Sequence, residues 1–470
     1  MHRISRVGSG DAPLGGREEI LRAMDDLDRH VDEYRGRYVV LLQQFCRQPS
    51  ISAQGIGMEE TVQMLSGMFE DVGARVQILP AGGYPVVYAE AGDTGRVLSF
   101  YNHYDVQPPE PLGLWESPPF EAEIRDGRIY ARGVADNKGN LVARICAIDA
   151  YQRVRGQLPL QLHFIVEGEE EIASLNLETF VETYPDLIRA DANIWESGTK
   201  NIHGRPVLSL GLKGLCYVEL RARSMTRDLH SSLGASVPNA AWRLTWALAT
   251  LKGPDGRVRI PGFYDRVIPP SERDLALLAQ LPDIELERKV LYGIEHFTNG
   301  HSGMDLRINE YFQPTGTICG LDSGYTGPGI KTVMPAVATA KVDFRLVLDQ
   351  DPEEIFALLR AHLDQHGFED IETELLGAER PARTSIDSPI VQIVADSYRE
   401  LSGLEPVVVP TSLGSGPMHL LTQKFGIPSC SSGAGHAGSY AHAPNENIFV
   451  DDFLREIKHI ARVIDRFATW

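Results

Sequence analysis

The sequence lacks the features typical of disulfide-stabilised, membrane-spanning and nucleic-acid-binding proteins. Its five cysteines are far apart and form no C-x-x-C pair, so we expect reduced thiols rather than disulfides or a thiolate metal site. It has no run of eighteen apolar residues, and its start, MHRISRVGSGDAPLGG, lacks the apolar stretch of a secretory signal. A net charge of −19 without any basic run would repel nucleic acid and anionic membranes. We therefore expect a cytoplasmic protein without nucleic-acid or membrane partners.

The composition is that of an ordinary globular protein. Hydrophobic residues make up 43% of the chain and charged residues 23%, which favours a packed fold over disorder. A length of 470 residues exceeds one ordinary core, and a prior of about 150 residues per domain leaves room for two or three domains. Apolar residues at helical spacing over residues 18–46 predict one or two opening helices.

Two patterns of hydrophobicity divide the rest of the chain. Short apolar runs alternate with helical stretches in RVLSFYNHYDV, NKGNLVARICAIDAYQRV, LQLHFIVEGEEE and ANIWES, which predicts an α/β domain around a mostly parallel sheet. From about Pro206, VLSLGLKGLCYVELRARS and VATAKVDFRLVLD alternate apolar and polar residues, and two helical stretches accompany them. We predict a βαββαβ, ferredoxin-like α+β domain over residues 208–378, inserted into an α/β domain formed by residues 15–207 and 379–470.

Three segments place acidic residues and a histidine at predicted strand ends. In YNHYDVQPPE, His103 and Asp105 share one face of a strand, at the edge where open α/β sheets bind ligands, although a chance H-x-D in a turn is an alternative. In ARGVADNKGN, Asp136 is either the N-cap of the next helix or a carboxylate that bridges two cations. In FIVEGEEEIAS, Glu170 and Glu171 lie either in a solvated acidic turn or at a strand end whose charges cations offset.

Two further residues complete the candidate ligands. Glu196 ends the apolar run ANIWES, and His442 lies in SYAHAPNEN, after the predicted strand IPSCSS. Because neighbouring side chains alternate sides in an extended chain, Glu170 and Glu171 can differ in role, one binding metal and the other moving protons. Two histidines with several carboxylates form a ligand set suited to Zn²⁺ and tolerant of Mn²⁺ or Co²⁺.

The motifs HxD, GVADNKG, EGEEEIAS, IWES and HAPNE occur in an order that closely resembles the dinuclear zinc aminoacylase and carboxypeptidase family. That family includes carnosine dipeptidases, glutamate carboxypeptidase, acetylornithine deacetylase and succinyl-diaminopimelate desuccinylase. The resemblance runs from about Arg37 to the C-terminus. It implies a zinc-exopeptidase-like catalytic domain, with residues 208–378 as a lid domain that carries the interface of a homodimer.

The resemblance also implies the metal ligands. One zinc would be bound by His103, Asp136 and Glu196, and the other by Asp136, Glu171 and His442. Asp136 would be the bridging ligand, so that each chain binds two Zn²⁺ ions.

The catalytic residues implied by the resemblance are Glu170, Asp105 and His230. A water held between the zincs would lose a proton to Glu170, the general base, and attack the amide carbonyl. Asp105 would support a zinc-bound histidine. His230, in TRDLHSS, would reach across the dimer and stabilise the oxyanion, although an exposed loop histidine is an alternative.

The substrate contacts implied by the resemblance are Thr332 in KTVMP, Arg345 in FRLV and Ser415 in LGSGPM. The sequence departs from the family at two positions. Asn137 replaces a common second aspartate, so the cis peptide bond often found there is not assumed. Thr411 lies nearest to the position at which dipeptidases of the family have an arginine. One expected bidentate partner of a substrate carboxylate is therefore missing.

The function predicted from these residues is a di-zinc, dipeptidase-like hydrolase of an amide or peptide bond. An N-acyl amino acid deacylase is the alternative within the same enzyme class. The expected substrate is therefore a small peptide or an N-acyl amino acid. A third alternative, a metal-binding scaffold without catalysis, is disfavoured because Glu170 and all five ligand positions are present.

Overall fold

Two β-sheets with packed helices, one six-stranded and one four-stranded, organise the protein in the computed structural model, which describes residues 14–470. The helices are α1 (Leu14–Glu33), α2 (Arg35–Arg47), α3 (Met58–Asp71), α4 (Gly139–Arg155), α5 (Leu177–Thr183), α6 (Pro185–Ile188), α7 (Ala240–Leu251), α8 (Glu272–Gln280), α9 (Glu285–Tyr292), α10 (Gly303–Phe312), α11 (Pro352–Gln365), α12 (Pro389–Ser402), α13 (His419–Thr422) and α14 (Val450–Thr469).

The strands alternate with these helices along the chain. They are β1 (Arg75–Leu79), β2 (Val86–Ala91), β3 (Val97–His103), β4 (Glu123–Arg125), β5 (Arg128–Tyr130), β6 (Gln161–Glu167), β7 (Ala192–Trp195), β8 (Thr199–Lys200), β9 (Pro206–Ser209), β10 (Gly211–Leu212), β11 (Gly214–Arg223), β12 (Leu229–His230), β13 (Thr315–Ser323), β14 (Val333–Met334), β15 (Val337–Leu346), β16 (Glu372–Glu379), β17 (Ala382–Arg383), β18 (Val407–Val409), β19 (Ser429–Ser431), β20 (Gly435–His436) and β21 (Asn447–Phe449).

The six-stranded sheet, called the central sheet below, has the order β1-β2-β6-β3-β7-β19. Strands β6, β3, β7 and β19 are parallel, and β1 and β2 add an antiparallel edge. Helix α4 is buried from Gly139 to Tyr151, and its apolar residues share one core with those of the sheet and of α14. A helix buried on all sides has no solvent-facing polar stripe, which explains its weak amphipathic pattern. The predicted mostly parallel α/β fold is confirmed.

One four-stranded sheet, called the lid sheet below, has the order β13-β15-β11-β16 and is wholly antiparallel, and it is separate from the four-stranded sheet β18-β9-β8-β20. Burial alternates residue by residue along β11, as expected for a sheet with one covered face. Helices α7 and α11 pack on that face, so the predicted βαββαβ arrangement is present. The sequence did not predict α8, α9 and α10, which lie between α7 and β13 along the chain.

The chain enters and leaves the lid through two short paired strands. Gly211 pairs with Arg383 and Leu212 pairs with Ala382, which brings β10 and β17 together beside the central sheet. The boundaries of the inserted domain at residues 208 and 378 stay a prediction.

The structure also describes the state of the cysteines and the hydrophobicity of the helices. Cys319 is exposed and the other four cysteines are buried, and all five are free thiols. Within residues 14–470, none of the helices is long and apolar enough to cross a membrane.

Candidate active site

The predicted ligand residues converge at the carboxyl end of the central sheet. Strand β3 ends at His103, and its parallel neighbour β7 is followed directly by Glu196. On the other side of β3, the parallel strand β6 leads into a 3-10 turn over Glu170–Ile172. Because the carboxyl ends of parallel strands meet at one edge of a sheet, residues distant in sequence come together here.

Asp136 lies at the centre of the cluster. Its Oδ1 is 3.1 Å from His103 Nε2, and its Oδ2 is 3.2 Å from His442 Nε2. Its side chain makes no N-cap hydrogen bond to α4, so the N-cap alternative does not describe its contacts. The two oxygens instead face two different histidines, as a bridging carboxylate requires. The peptide bond between Asp136 and Asn137 is cis, which the sequence did not allow us to assume because Asn137 replaces the common aspartate.

Two glutamates complete the two halves of the cluster. Glu196 Oε2 is 3.5 Å from His103 Nε2, and Glu171 Oε2 is 3.0 Å from His442 Nε2. The Glu171 side chain is only 3% exposed, which argues against a solvated acidic turn. Ligand atoms of Asp136, Glu171 and His442 lie within 4.8 Å of one another.

The donor set fits divalent cations. Among the described residues, Glu171 Oε1 and Glu196 Oε2 are buried oxygens without a hydrogen-bond partner. Buried carboxylate oxygens normally have partners, because an unpaired buried charge is costly. Imidazole nitrogens and carboxylate oxygens are ligands of Zn²⁺, which would supply the missing partner.

The electrostatics of the cluster depend on pairing between its members. Hydrogen bonds that His442 donates to Asp136 and Glu171 raise the pKa of His442 to about 10. Burial, opposed by the charge of His103, raises the pKa of Glu196 to about 8. Burial alone would raise the pKa of Asp136 as well, but its bonds to the two histidines hold that pKa below its usual value. A buried carboxylate of the cluster is therefore stabilised in its charged form only where a cationic group lies next to it.

Glu170 lies beside the cluster without joining it. Its carboxylate has no ion pair or hydrogen bond in the described chain, and a Cβ atom placed on Gly416 would lie 3.7 Å from its Oε1. Burial, followed by the negative charge of Glu196, raises the pKa of Glu170 well above its usual value. A carboxyl in this environment binds a proton more readily than an exposed one, as a group that accepts a proton from water must.

Asp105 supports two of the candidate ligands. His103 Nδ1 lies 3.1 Å from the Asp105 carbonyl oxygen and 3.4 Å from Oδ1. Asp105 Oδ2 accepts hydrogen bonds from Ser52 Oγ at 2.7 Å and from the Glu171 amide at 3.1 Å. Such contacts fix the ring orientation of a histidine ligand. The sequence carried no signal for Ser52.

Two buried residues, one that holds the strand ends and one that holds the Asp136 segment, were missed. Arg144, on α4, donates hydrogen bonds to the carbonyls of Tyr101, Trp195, Glu196 and Ser432 and to Asn102 Oδ1. Glu446 accepts hydrogen bonds from the amides of Gly133, Ala135 and Asp136 and from Arg132. Glu446 belongs to HAPNE, and that motif was its only signal in the sequence.

The four residues predicted to act on the substrate from the lid and from the loop at Ser415 form two separate pairs. His230 Nε2 lies 3.0 Å from Thr332 Oγ1, and both side chains are exposed. Arg345 Nη1 donates to Ser415 Oγ at 2.8 Å, one residue before Gly416, which lies against Glu170. In the part of the chain that the structure describes, no hydrogen bond or ion pair joins His230 or Thr332 to the metal-ligand cluster.

A cavity of about 480 Å³ opens beside Asp136. It is lined by Ala135, Asp136, Trp195, Ser197, Gly198, Thr199, Val207, Ser209, Leu212, Tyr311, Val409, Thr411, Ser412, Leu413, Gly414, Ser431, Gly435, His436, Ser439, Tyr440 and Ala441. Its volume falls within the range of small-molecule sites.

Comparisons with known proteins identify the family. The model of Peptidase family M20/M25/M40 matches residues 99–466. A Cys-Gly metallodipeptidase of Schizosaccharomyces pombe is 26% identical over 95% of this chain and 99% of its own. A Beta-Ala-His dipeptidase of Rattus norvegicus is 27% identical over 73% of each chain.

A solved structure is similar in both fold and sequence. The M20 family metallo-carboxypeptidase Sso-CP2 from Sulfolobus solfataricus is 40% identical, with a TM-score of 0.88 over 92% of this chain and 99% of that one. The family inferred from the five motifs is thereby confirmed. The chain belongs to peptidase family M20/M25/M40, and the prediction of a dipeptidase-like metallohydrolase is confirmed at the level of that family.

Proposed function

We propose that the chain binds two divalent cations, with zinc as the native metal and Mn²⁺ or Co²⁺ as substitutes. His103, Asp136 and Glu196 would hold one ion, and Asp136, Glu171 and His442 the other. The observation that carries this proposal is the division of the Asp136 carboxylate, with one oxygen 3.1 Å from His103 and the other 3.2 Å from His442. When bound, the ions would supply Lewis-acid chemistry that polarises a carbonyl group and lowers the pKa of water.

Glu170 would move the protons of the reaction. Its carboxylate would take a proton from the attacking water and return it to the nitrogen of the leaving amine. The absence of ion pairs at Glu170 within residues 14–470 supports this role, because a carboxylate fixed by a cation is a weak base. Asp105 would hold the His103 ring in the orientation that its metal requires.

Arg345 and Ser415 would bind the free carboxylate of the substrate. The Arg345 side chain lies next to the loop that packs on Glu170, and it is 34% exposed, so a ligand can reach it. Arginine pairs with carboxylates through parallel hydrogen bonds. It would thereby replace the arginine missing near Thr411.

His230 would stabilise the oxyanion in the active site of a second copy of the chain, and Thr332 would contact the same substrate. The two side chains contact each other and are exposed to solvent, so another subunit can reach them. The proposed homodimer uses the lid, where Trp242 and Trp246 are 58% and 55% exposed on α7. Exposed aromatic residues in a contiguous patch are typical of interfaces.

The substrate class follows from the names of the relatives and from the proposed carboxylate site. Relatives named for Cys-Gly and Beta-Ala-His act on dipeptides, which supports a small peptide substrate here. An N-acyl amino acid presents the same carboxylate and the same amide bond, so it remains the second candidate. The cytoplasmic location stays a prediction from the sequence.

Metal analysis combined with a substrate panel tests the proposal. The chain would be reconstituted with zinc and analysed by plasma mass spectrometry, and dipeptides and N-acyl amino acids would be followed by mass spectrometry of the products. We expect two ions per chain and hydrolysis within one of the two substrate classes. Fewer than one ion per chain, with every substrate intact, would contradict it.

A further inference from the structure

Glu456, on α14, is the centre of a buried polar network near the end of β19. Its Oε1 accepts a hydrogen bond from Ser432 Oγ at 2.5 Å, and its Oε2 accepts one from the Tyr398 hydroxyl at 2.9 Å. His459 Nδ1 lies 3.0 Å from Ser432 Oγ, and the His459 ring stacks on that of Tyr398. None of these four residues is more than 5% exposed. A carboxylate buried this deeply is costly unless a cation lies near it.

Ser432 joins this network to Arg144. Its hydroxyl donates to Glu456, and its carbonyl oxygen accepts a hydrogen bond from Arg144 Nη2 at 3.1 Å. Burial lowers the pKa of Arg144 to about 10, and the negative charges of Glu456 and then Glu196 oppose that shift. Burial alone would raise the pKa of Glu456, but its hydrogen bonds, that of His459 first, and the charge of Arg144 hold this pKa below its usual value. Arg144 and Glu456 therefore stabilise each other in the charged form.

Arg144 holds the strand ends that carry ligands of one of the two proposed ions. Two of its acceptors belong to the two residues before His103 on β3, and two others are the last carbonyl of β7 and that of Glu196. No hydrogen bond of the described chain joins Arg144 to Glu171 or His442, which belong to the second ion. The guanidinium group therefore fixes one half of the proposed metal site.

The positive charge of Arg144 opposes metal binding unless an anion offsets it. Its hydrogen-bond acceptors are four backbone carbonyls and one amide oxygen, so these bonds leave the charge in place. Two carboxylates, those of Glu456 and Glu196, act on this charge. Without the negative charge of Glu456, the guanidinium group would compete with a metal ion for Glu196 and would repel that ion, because charges interact strongly in buried surroundings of low dielectric constant.

We propose that Glu456 is a positioning residue that acts through Arg144 to strengthen the binding of one ion, the one that Glu196 holds. The buried network keeps the Glu456 carboxylate charged and in place behind the guanidinium group. The ion that Glu171 holds has no such support, so the two ions differ in their dependence on Glu456. The inference rests on the proposed two-ion site and assigns a separate source of stability to one half of it.

Two backgrounds that each lack a ligand of one ion test the difference. Glu171→Ala removes a ligand of one ion, and Glu196→Ala removes a ligand of the other. Glu456→Gln, which removes the charge with little change of shape, would be added to each, and the affinity of the full-length, metal-depleted chain for Zn²⁺ would be measured by chelator competition. We expect Glu456→Gln to weaken binding by about 10–100-fold in the Glu171→Ala background and to leave it unchanged in the Glu196→Ala background.

The unsubstituted chain is measured alongside, and it separates the two levels of the account. Fewer than two Zn²⁺ ions bound to that chain would overturn the proposed function and the inference with it. Two ions bound there, with no loss of affinity from Glu456→Gln in the Glu171→Ala background or with equal losses in both backgrounds, would overturn the inference alone.

Further variants distinguish charge from a general loss of packing, with thermal unfolding measured for each. Glu456→Asp keeps the charge, so its Zn²⁺ affinity should lie nearer to that of the unsubstituted chain than to that of Glu456→Gln. Asp452→Asn removes another buried, ion-paired carboxylate of α14, whose partners are Lys200 and Arg455, and should leave both ions in place. If Glu456→Gln fails to fold, Tyr398→Phe removes one donor to Glu456 and should weaken the same ion by a smaller factor. Equal losses of affinity in Asp452→Asn and Glu456→Gln, or unchanged affinity in Tyr398→Phe, would overturn the assignment.

Discussion

The carboxyl end of the central sheet and the lid surround their polar residues in different ways. His103, Glu171 and Glu196 are held by partners within the same chain, and little of their side chains reaches solvent. In the lid, His230 and Thr332 are exposed and bonded to each other. The difference separates residues that a single chain assembles from residues that we propose to meet a substrate or a second subunit. Changes to the buried ligand residues at the sheet should therefore affect folding and metal binding, whereas changes to the exposed pair in the lid should affect turnover alone.

The largest effect on stability is expected for Arg144→Met. The substitution leaves four backbone carbonyls and Asn102 Oδ1 without their buried donor. Each such loss costs about 1–3 kcal/mol, so the free energy of unfolding should fall by more than about 3 kcal/mol. Denaturant titration measures it, with Arg153→Met in the exposed last turn of the same helix as the control. A decrease equal to that of the control would show that the buried contacts do not hold the strand ends.

The next prediction is a change that lowers turnover but leaves stability unchanged. His230→Ala should lower kcat by about 10²–10³, the loss typical of one oxyanion donor. Its melting temperature should match that of the unsubstituted chain, because the side chain is exposed. A mixture of the His230→Ala and Glu170→Ala chains should regain activity if His230 acts across a dimer. Unchanged kcat in the single variant would remove His230 from the site.

A smaller effect is expected for Glu446→Gln, in which an amide donor replaces one acceptor oxygen. The new NH₂ group would face the backbone amides that now donate to Glu446, and the Asp136 segment would shift. Changes of this kind weaken metal binding by about 10–100-fold, which chelator competition would measure. Glu169→Gln is a matched control, since that carboxylate is also buried and bonded, to Tyr84 and Asn176. Equal affinities in the two variants would contradict the role of Glu446.

The smallest effect is a change in pH dependence within the lid. Burial raises the pKa of Glu379 to about 7, so the folded protein keeps this proton at a pH where the unfolded chain has lost it. Stability should therefore decrease as the pH rises from about 4.5 to 7, and remain reduced above pH 7. Glu379→Gln removes this penalty, so its melting temperature should exceed that of the unsubstituted chain at pH 8 and equal it at pH 4.5. A difference of the same size at both pH values would show that titration is not the cause.

The sequence predicted those parts of the molecule that depend on local patterns. Period-two and helical runs predicted the central strands and the lid arrangement, and the position of His103 and Glu196 at strand ends predicted that they lie at one sheet edge. Contacts between distant residues were not predictable in this way. Arg144 lies in an apolar helix that gives no sign of its five acceptors, and Glu446 reaches an amide more than 300 positions away. Such contacts depend on tertiary packing, which residue spacing does not encode.

We expect the two adjacent glutamates to differ in role, with Glu171 binding metal and Glu170 moving protons. Glu170→Ala and Glu171→Ala, each reconstituted with zinc, would be compared for metal content and for turnover of the same substrate. We expect the Glu170 variant to keep two ions per chain while kcat falls by about 10²–10⁴, and the Glu171 variant to lose metal. Turnover near that of the unsubstituted enzyme in Glu170→Ala, or full metal content in Glu171→Ala, would contradict the assignment.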